Sequence, residues 1–194
     1  FIQCVFKLYI HWPFNNNMKI LKRILVLLLI LIGIVGIFLV YSLYINPKSP
    51  LGHAEYKNGE IEIDIRYYRP FKNDRLIFGS KSDNALVPYG EYWRLGANLT
   101  TKMKINKVIS FGGRSLEAGT YGLYAYPEKE NWMVIINTKT GGISFSEPNP
   151  DGVIMKINIA TQSLEVPLEQ FTIDFIDNYL RMRWDSTQVT IPIN

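Results

Sequence analysis

From Ile24 to Ile45 the chain reads ILVLLLILIGIVGIFLVYSLYI, 22 residues without a charge. As a helix rising roughly 1.5 Å per residue, this run reaches about 33 Å, enough to cross a bilayer core of about 30 Å. Leu, Ile, Val and Phe occupy every side of such a helix, so no polar face is left for water. Gly33, Gly36 and Ser42 interrupt it, and all three are tolerated in membrane helices. The run predicts one transmembrane helix with a separate domain behind it.

The flanks set the orientation. Lys19, Lys22 and Arg23 precede the run closely and only Lys48 follows it. That bias keeps the N-terminus in the cytoplasm and sends the domain outward. A cleavable secretory signal has a shorter apolar stretch, about 7–15 residues, ending at small residues. Val40-Tyr41-Ser42 is a poor site of that kind, so residues 18–45 read as a retained signal anchor. Met18 opens MKILKR, as an export signal begins, and residues 1–17 read as an upstream extension or a disordered tail. Residues 46–50, with two prolines that cannot continue a helix, form a short stiff linker. Residues 51–194 form the exported domain. The expected location is the inner cell membrane, single-pass, with the C-terminal domain periplasmic or otherwise extracytoplasmic.

A net charge of +4 on 194 residues suggests nucleic-acid binding until it is divided. The first 50 residues contain no acid, and beyond residue 49 there are 16 Lys plus Arg against 17 Asp plus Glu. A domain with a net charge of −1 and no basic cluster gives no electrostatic reason for a nucleic-acid partner. Cys4 is the only cysteine and precedes the anchor. The domain therefore has no internal disulfide, no thiolate metal site and no acylated cysteine after the run.

After Leu51 the period becomes two. Lys57-Asn58-Gly59-Glu60 carries an Asn-Gly pair, predicting a type I′ hairpin turn at those two residues. Ile61, Ile63, Ile65 and Tyr67 then alternate with Glu62, Asp64, Arg66 and Tyr68, a half-buried strand. Residues 71–84 are loop-rich, with Leu76-Ile77-Phe78 as an apolar plug, and residues 86–98 form a structured crossing without a clean period. Met103 and Ile105, then Tyr121, Leu123 and Ala125, then Trp132, Val134 and Ile136, are predicted to face one core. Val153, Met155, Ile157, Ile159, Phe171, Ile173, Phe175, Leu180, Met182, Trp184, Val189, Ile191 and Ile193 continue the inward rows. About nine short strands and no amphipathic helix predict an all-β sandwich or jelly-roll-like domain.

Reactive groups are few. His53 is the only histidine besides His11, so a hydrolytic triad would have to use it, and a lone histidine beside a linker reads as exposed. Zinc held by His and Cys is excluded by count, and no metal or other cofactor is implied. Glu60, Glu62 and Asp64 project to one strand face and read as solvated. The richer stretch is Tyr89 to Asn98. Arg94 beside Tyr92 and Trp93 can hold its guanidinium against a ring, and Asn98 adds a two-sided amide. Arg69 and Asn137 end two strands. Arg69, Arg94, Asn98 and Asn137 are therefore the candidate ligand residues, converging on a pocket for an anionic or polyhydroxylated small group. No catalytic residue stands out. The alternative is that these groups satisfy buried carbonyls, or that an acid such as Glu91 neutralises each arginine.

Tyr68-Arg69-Pro70, Arg75-Leu76-Ile77-Phe78-Gly79, Leu86-Val87-Pro88-Tyr89-Gly90, Trp93-Arg94-Leu95-Gly96-Ala97-Asn98, Ala118-Gly119-Thr120-Tyr121 and Trp132 to Asn137 occur in an order that resembles the bacterial DUF2911 family. The resemblance runs from Ser49 to Ile193, and implies an exported protein without an established activity. Leu95 stands where the family more often has Thr, and Ser80 to Ala85 is longer than the usual link. The expected function is a membrane-anchored envelope module for binding or scaffolding. The alternative is an envelope hydrolase acting on a glycan through paired carboxylates.

Overall fold

The computed structural model describes residues 14–42, 48–140 and 146–194, with side chains in the first segment from Met18 onward. The upstream stretch 1–13, linker residues 46 and 47, and Gly141-Gly142 of the long loop lie outside the described residues. The chain divides into two units, Phe1–Pro47 and Lys48–Asn194.

The first unit is the helix α1, Phe14–Val40. Its apolar part, Met18–Val40, has a mean hydropathy of 3.1 and no buried residue. Side chains this apolar and this exposed need a non-aqueous surround, as a membrane anchor or a signal sequence has.

The second unit is a β-sandwich. Its larger layer is an antiparallel sheet of six strands. In spatial order these are β1 (Leu51–Asn58), β2 (Ile61–Tyr68), β5 (Thr101–Ile105), β8 (Gly119–Pro127), β9 (Asn131–Asn137) and β10 (Val153–Ala160). Facing it is the long hairpin of β11 (Gln162–Ile176) and β12 (Tyr179–Pro192). Two short pairs complete the domain: β3 (Phe78–Gly79) with β4 (Val87–Pro88), and β6 (Ile109–Phe111) with β7 (Arg114–Leu116). Twelve strands form among the described residues, against about nine predicted. The surplus includes the two-residue pair β3 and β4, in segments read as loop and crossing, and the three-residue β7, all too short to show a period.

The predicted inward rows contribute to one core, with Ile159 and Phe175 half-buried against it and Val153, before a register irregularity at the start of β10, outside it. Ile63, Ile65, Met103, Leu123, Trp132, Val134 and Ile136 are buried against Phe171, Ile173, Leu180, Met182 and Trp184. Hydrogen bonds tie the layers where a polar atom enters the core. The Tyr67 hydroxyl donates to Ile173 O at 3.0 Å and accepts from Ile173 N at 2.8 Å.

The first hairpin turns one residue later than the Asn-Gly pair predicts. Asn58 pairs with Ile61, so Gly59 and Glu60 are the central residues. Gly59 has φ +57° and Glu60 is outside the left-handed region, the pattern of a type II′ turn with glycine first. The shift changes every cross-strand neighbour on the solvent side. Of the apolar plug, Ile77 is buried and Phe78 packs on three tryptophans, whereas Leu76 is exposed.

Candidate functional site

The outer face of the six-stranded sheet carries a cluster of charged side chains across β1, β2 and β5. Strand alternation sends His53, Glu55 and Lys57 of β1, Glu62, Asp64 and Arg66 of β2, and Lys102 and Lys104 of β5 to this side. Register aligns them in rows. His53 stands opposite Arg66, which faces Lys102; Glu55 stands opposite Asp64, which faces Lys104, which faces Thr120 of β8. All of these except His53 line an open groove of about 500 Å³. Asn106 closes its lower end by bonding Glu62 N and Glu60 O at 2.8 and 2.9 Å.

The acids of the groove are matched. Glu62 lies 3.5 Å from Lys57, Asp64 lies 3.4 Å from Arg66, and His53 contacts both Asp64 and Glu55, the latter at 3.5 Å. Glu60, expected beside Glu62 and Asp64, sits in the turn instead and pairs with Lys107. Lys102 and Lys104 are exposed and have no ion pair among the described residues. His53, read from sequence as merely exposed, is thus the link between two strands.

Above β8 and β9 the same face is aromatic. Tyr92 meets Tyr124 edge-on with ring centroids 5.4 Å apart, and Tyr124 lies 6.2 Å from Tyr126. The Tyr124 hydroxyl donates to Glu147 at 3.4 Å. Burial pushes the phenols of Tyr124 and Tyr126 up, and the Glu147 carboxylate pushes them further in the same direction. Both stay protonated donors through the physiological range.

The four candidate ligand residues fall in three separate places rather than one pocket. Arg69 donates through Nε to Phe171 O at 3.3 Å and through Nη2 to the Thr172 hydroxyl at 3.0 Å, joining the end of β2 to β11. Near it Asp174 is bracketed by Arg181 and Arg183. Asn137 is fully buried; its amide donates to Asn149 O at 3.0 Å and its Oδ1 accepts from Lys139 N at 2.7 Å, clamping the loop after β9. Arg94 and Asn98 do come together, with Arg94 Nη1 donating to Asn98 O at 3.1 Å at the surface. Glu91, the suggested neutralising acid, pairs with Lys81 at 3.1 Å.

The block around Arg94 is built for packing. Trp93 is 6 % exposed and Leu95 is fully buried. The Trp93 ring lies 5.3 Å from Trp132, 4.9 Å from Phe171 and 5.9 Å from Trp184. Its backbone exchanges both hydrogen bonds with Ala125 at 2.8 Å, so the crossing borders β8 without being a full strand. Leu95 and Asn98 adopt positive φ, 52° and 57°. At the longer link, Ser80 caps a turn of 3₁₀ helix over Lys81–Asp83.

No curated protein and no solved structure matches the chain. The family model described as "Protein of unknown function (DUF2911)" matches residues 49–193, the whole of the β-sandwich, and the chain therefore belongs to the DUF2911 family.

Proposed function

We propose that the chain is a single-pass, membrane-anchored module of the bacterial cell envelope that binds an anionic or polyhydroxylated group. The observation that supports this reading is the charge imbalance of the outer face. Each carboxylate of the groove has a cation or imidazole beside it, while the ammonium groups of Lys102 and Lys104 have no carboxylate within ion-pair distance among the described residues. Alternate residues of a strand lie about 7 Å apart, so two oxygens of one anionic group or of neighbouring groups can meet both lysines. Arg66 beside Lys102, and the Thr120 hydroxyl beside Lys104, add a third charge and a donor. Exposed charge pairs contribute less than about 1 kcal/mol each, so affinity on this face is a sum of several contacts and falls with salt.

In this reading Arg94 and Asn98 are the rim, on the turn leading into the strand that carries both lysines. Arg69 and Asn137 hold the ends of their strands. Titration calorimetry on the full chain in detergent, with inorganic phosphate and a uronic-acid oligosaccharide as probes, tests it. Lys102→Ala with Lys104→Ala is expected to weaken binding at least tenfold and leave the thermal midpoint unchanged, and Arg94→Ala to weaken it less. Equal affinity in the double variant contradicts the reading.

The hydrolase alternative draws on the same groove. Carboxyl oxygens of Glu55 and Asp64 lie within 4.8 Å of each other, close to the roughly 5 Å of retaining glycosidases. Catalytic acids of that kind work in water-poor pockets. Here Glu55 is 57 % and Asp64 34 % exposed, with His53 between them, which favours binding over hydrolysis.

The orientation rests on Lys19, Lys22 and Arg23 ahead of the apolar run. A C-terminal alkaline phosphatase fusion should be active and a C-terminal fluorescent protein dark. The opposite pair of results would put the domain in the cytoplasm.

A further inference from the structure

His53, Glu55 and Asp64 each offer one donor atom, and the three atoms lie within 4.8 Å of one another. We infer that this triad is a binding site for a first-row divalent transition ion such as Zn²⁺, placed at the edge of the anion groove. The inference rests on the groove reading for its ligand class and on separate residues for its geometry.

The hairpin register makes the site. His53 and Glu55 share a face two residues apart on β1, and Asp64 stands directly across from Glu55 on β2. Two donors each about 2.1 Å from a tetrahedral ion lie roughly 3.4 Å apart. His53 Nε2 and Glu55 Oε1 are separated by 3.5 Å. The carboxylate of Asp64 is already oriented: Arg66 Nε approaches Oδ1 at 3.4 Å, and Oδ2 is hydrogen-bonded directly to His53 Nε2, closer than two ligands of one ion sit, so an entering ion replaces that hydrogen bond and spreads the pair. Such an outer partner is what aims a ligating carboxylate. One imidazole nitrogen with two carboxylate oxygens selects zinc-like ions over Mg²⁺ or Ca²⁺, which take oxygen donors.

Charge explains why the ion belongs beside the lysines. Two carboxylates balance a divalent ion and leave it neutral within the site. Three protein ligands leave a fourth position open, and the triad borders the groove that holds Lys102 and Lys104. An anionic oxygen taking that position is then held by the metal on one side and by the ammonium groups on the other. The substrate class this assigns is a phosphate or carboxylate ligand bridging metal and lysines. Without the ion, His53 is simply an imidazole shared between two acids.

The test uses the full chain in detergent, stripped with chelator and titrated with Zn²⁺ alone and with Co²⁺ followed by its visible absorption. One Zn²⁺ per chain and a Co²⁺ band are expected. His53→Ala and, as a conservative second variant, Asp64→Asn should each weaken Zn²⁺ at least tenfold, whereas Glu165→Gln, an exposed acid elsewhere, should not. Phosphate should bind more tightly to the Zn²⁺ form. Absence of stoichiometric Zn²⁺ binding, or binding indifferent to both triad variants, overturns the inference. Phosphate binding that needs Lys102 and Lys104 but persists unchanged without Zn²⁺ overturns the metal and leaves the groove standing. Zn²⁺ binding without phosphate binding retains the triad as a metal site and removes the groove reading.

Discussion

Trp93→Ala is expected to destabilise the domain by about 3–5 kcal/mol, the usual cost of emptying a large aromatic site in a core. The ring touches Phe78, Trp132, Phe171 and Trp184, which come from four different segments and cannot close on the space together. For a domain of this size the loss corresponds to a fall of roughly 10 °C in the thermal midpoint. Val166→Ala, at a side chain 77 % exposed, is the matched control and should stay within about 0.5 kcal/mol. Thermal unfolding of the two variants side by side checks both numbers. A Trp93 variant that melts with the control would mean that the crossing is not part of the core.

Gly96→Ala should be comparably severe, for a different reason. Gly96 has φ +137°, where a Cβ is strained by about 1–3 kcal/mol. An added Cβ would also meet Tyr68 O at 2.5 Å, and that oxygen belongs to the backbone at the end of β2 and cannot swing away. Forcing the two segments apart adds about another 1–3 kcal/mol. Chemical denaturation should show a total loss of about 4 kcal/mol. A loss under about 1 kcal/mol would show that the crossing shifts freely. Both variants bear on how the Trp93 to Asn98 block is understood. Its specificity reflects a crossing that must insert Trp93 and Leu95, pass under Tyr68 and reverse at Asn98, all within six residues.

Periodicity made the layers readable in advance where a strand buries one face and exposes the other, as β1, β2 and β5 do. In contrast, β8 and β9 are buried on both faces over much of their length, and Tyr124, Ile135 and Asn137 on their outer side are buried too. The alternation of Ile61 to Tyr68 and of Trp132 to Ile136 assigned the core face without reference to partners. Register was less readable. Asn58-Gly59 and Gly59-Glu60 are both acceptable turn centres, and both keep Ala54 and Tyr56 on the inner side. Only the second sets Glu55 across from Asp64 and His53 across from Arg66. The triad and the groove depend on that one-residue difference. Arg69 and Asn137 illustrate the converse. A polar residue at a strand end reads equally as a ligand contact or a clamp, and the deciding partners, Phe171, Thr172 and Asn149, lie far along the chain.

The outer face of the six-stranded sheet is where this account puts ligand binding, and lysine-selective NMR tests it most directly. The full chain in detergent, with its lysines carrying ¹³C-methyl groups, would be titrated with inorganic phosphate at low salt. Saturable shifts are expected at Lys102 and Lys104, with Lys81 and Lys129, exposed elsewhere on the domain, unmoved. Equal shifts at all four lysines, or none at Lys102 and Lys104, would contradict it.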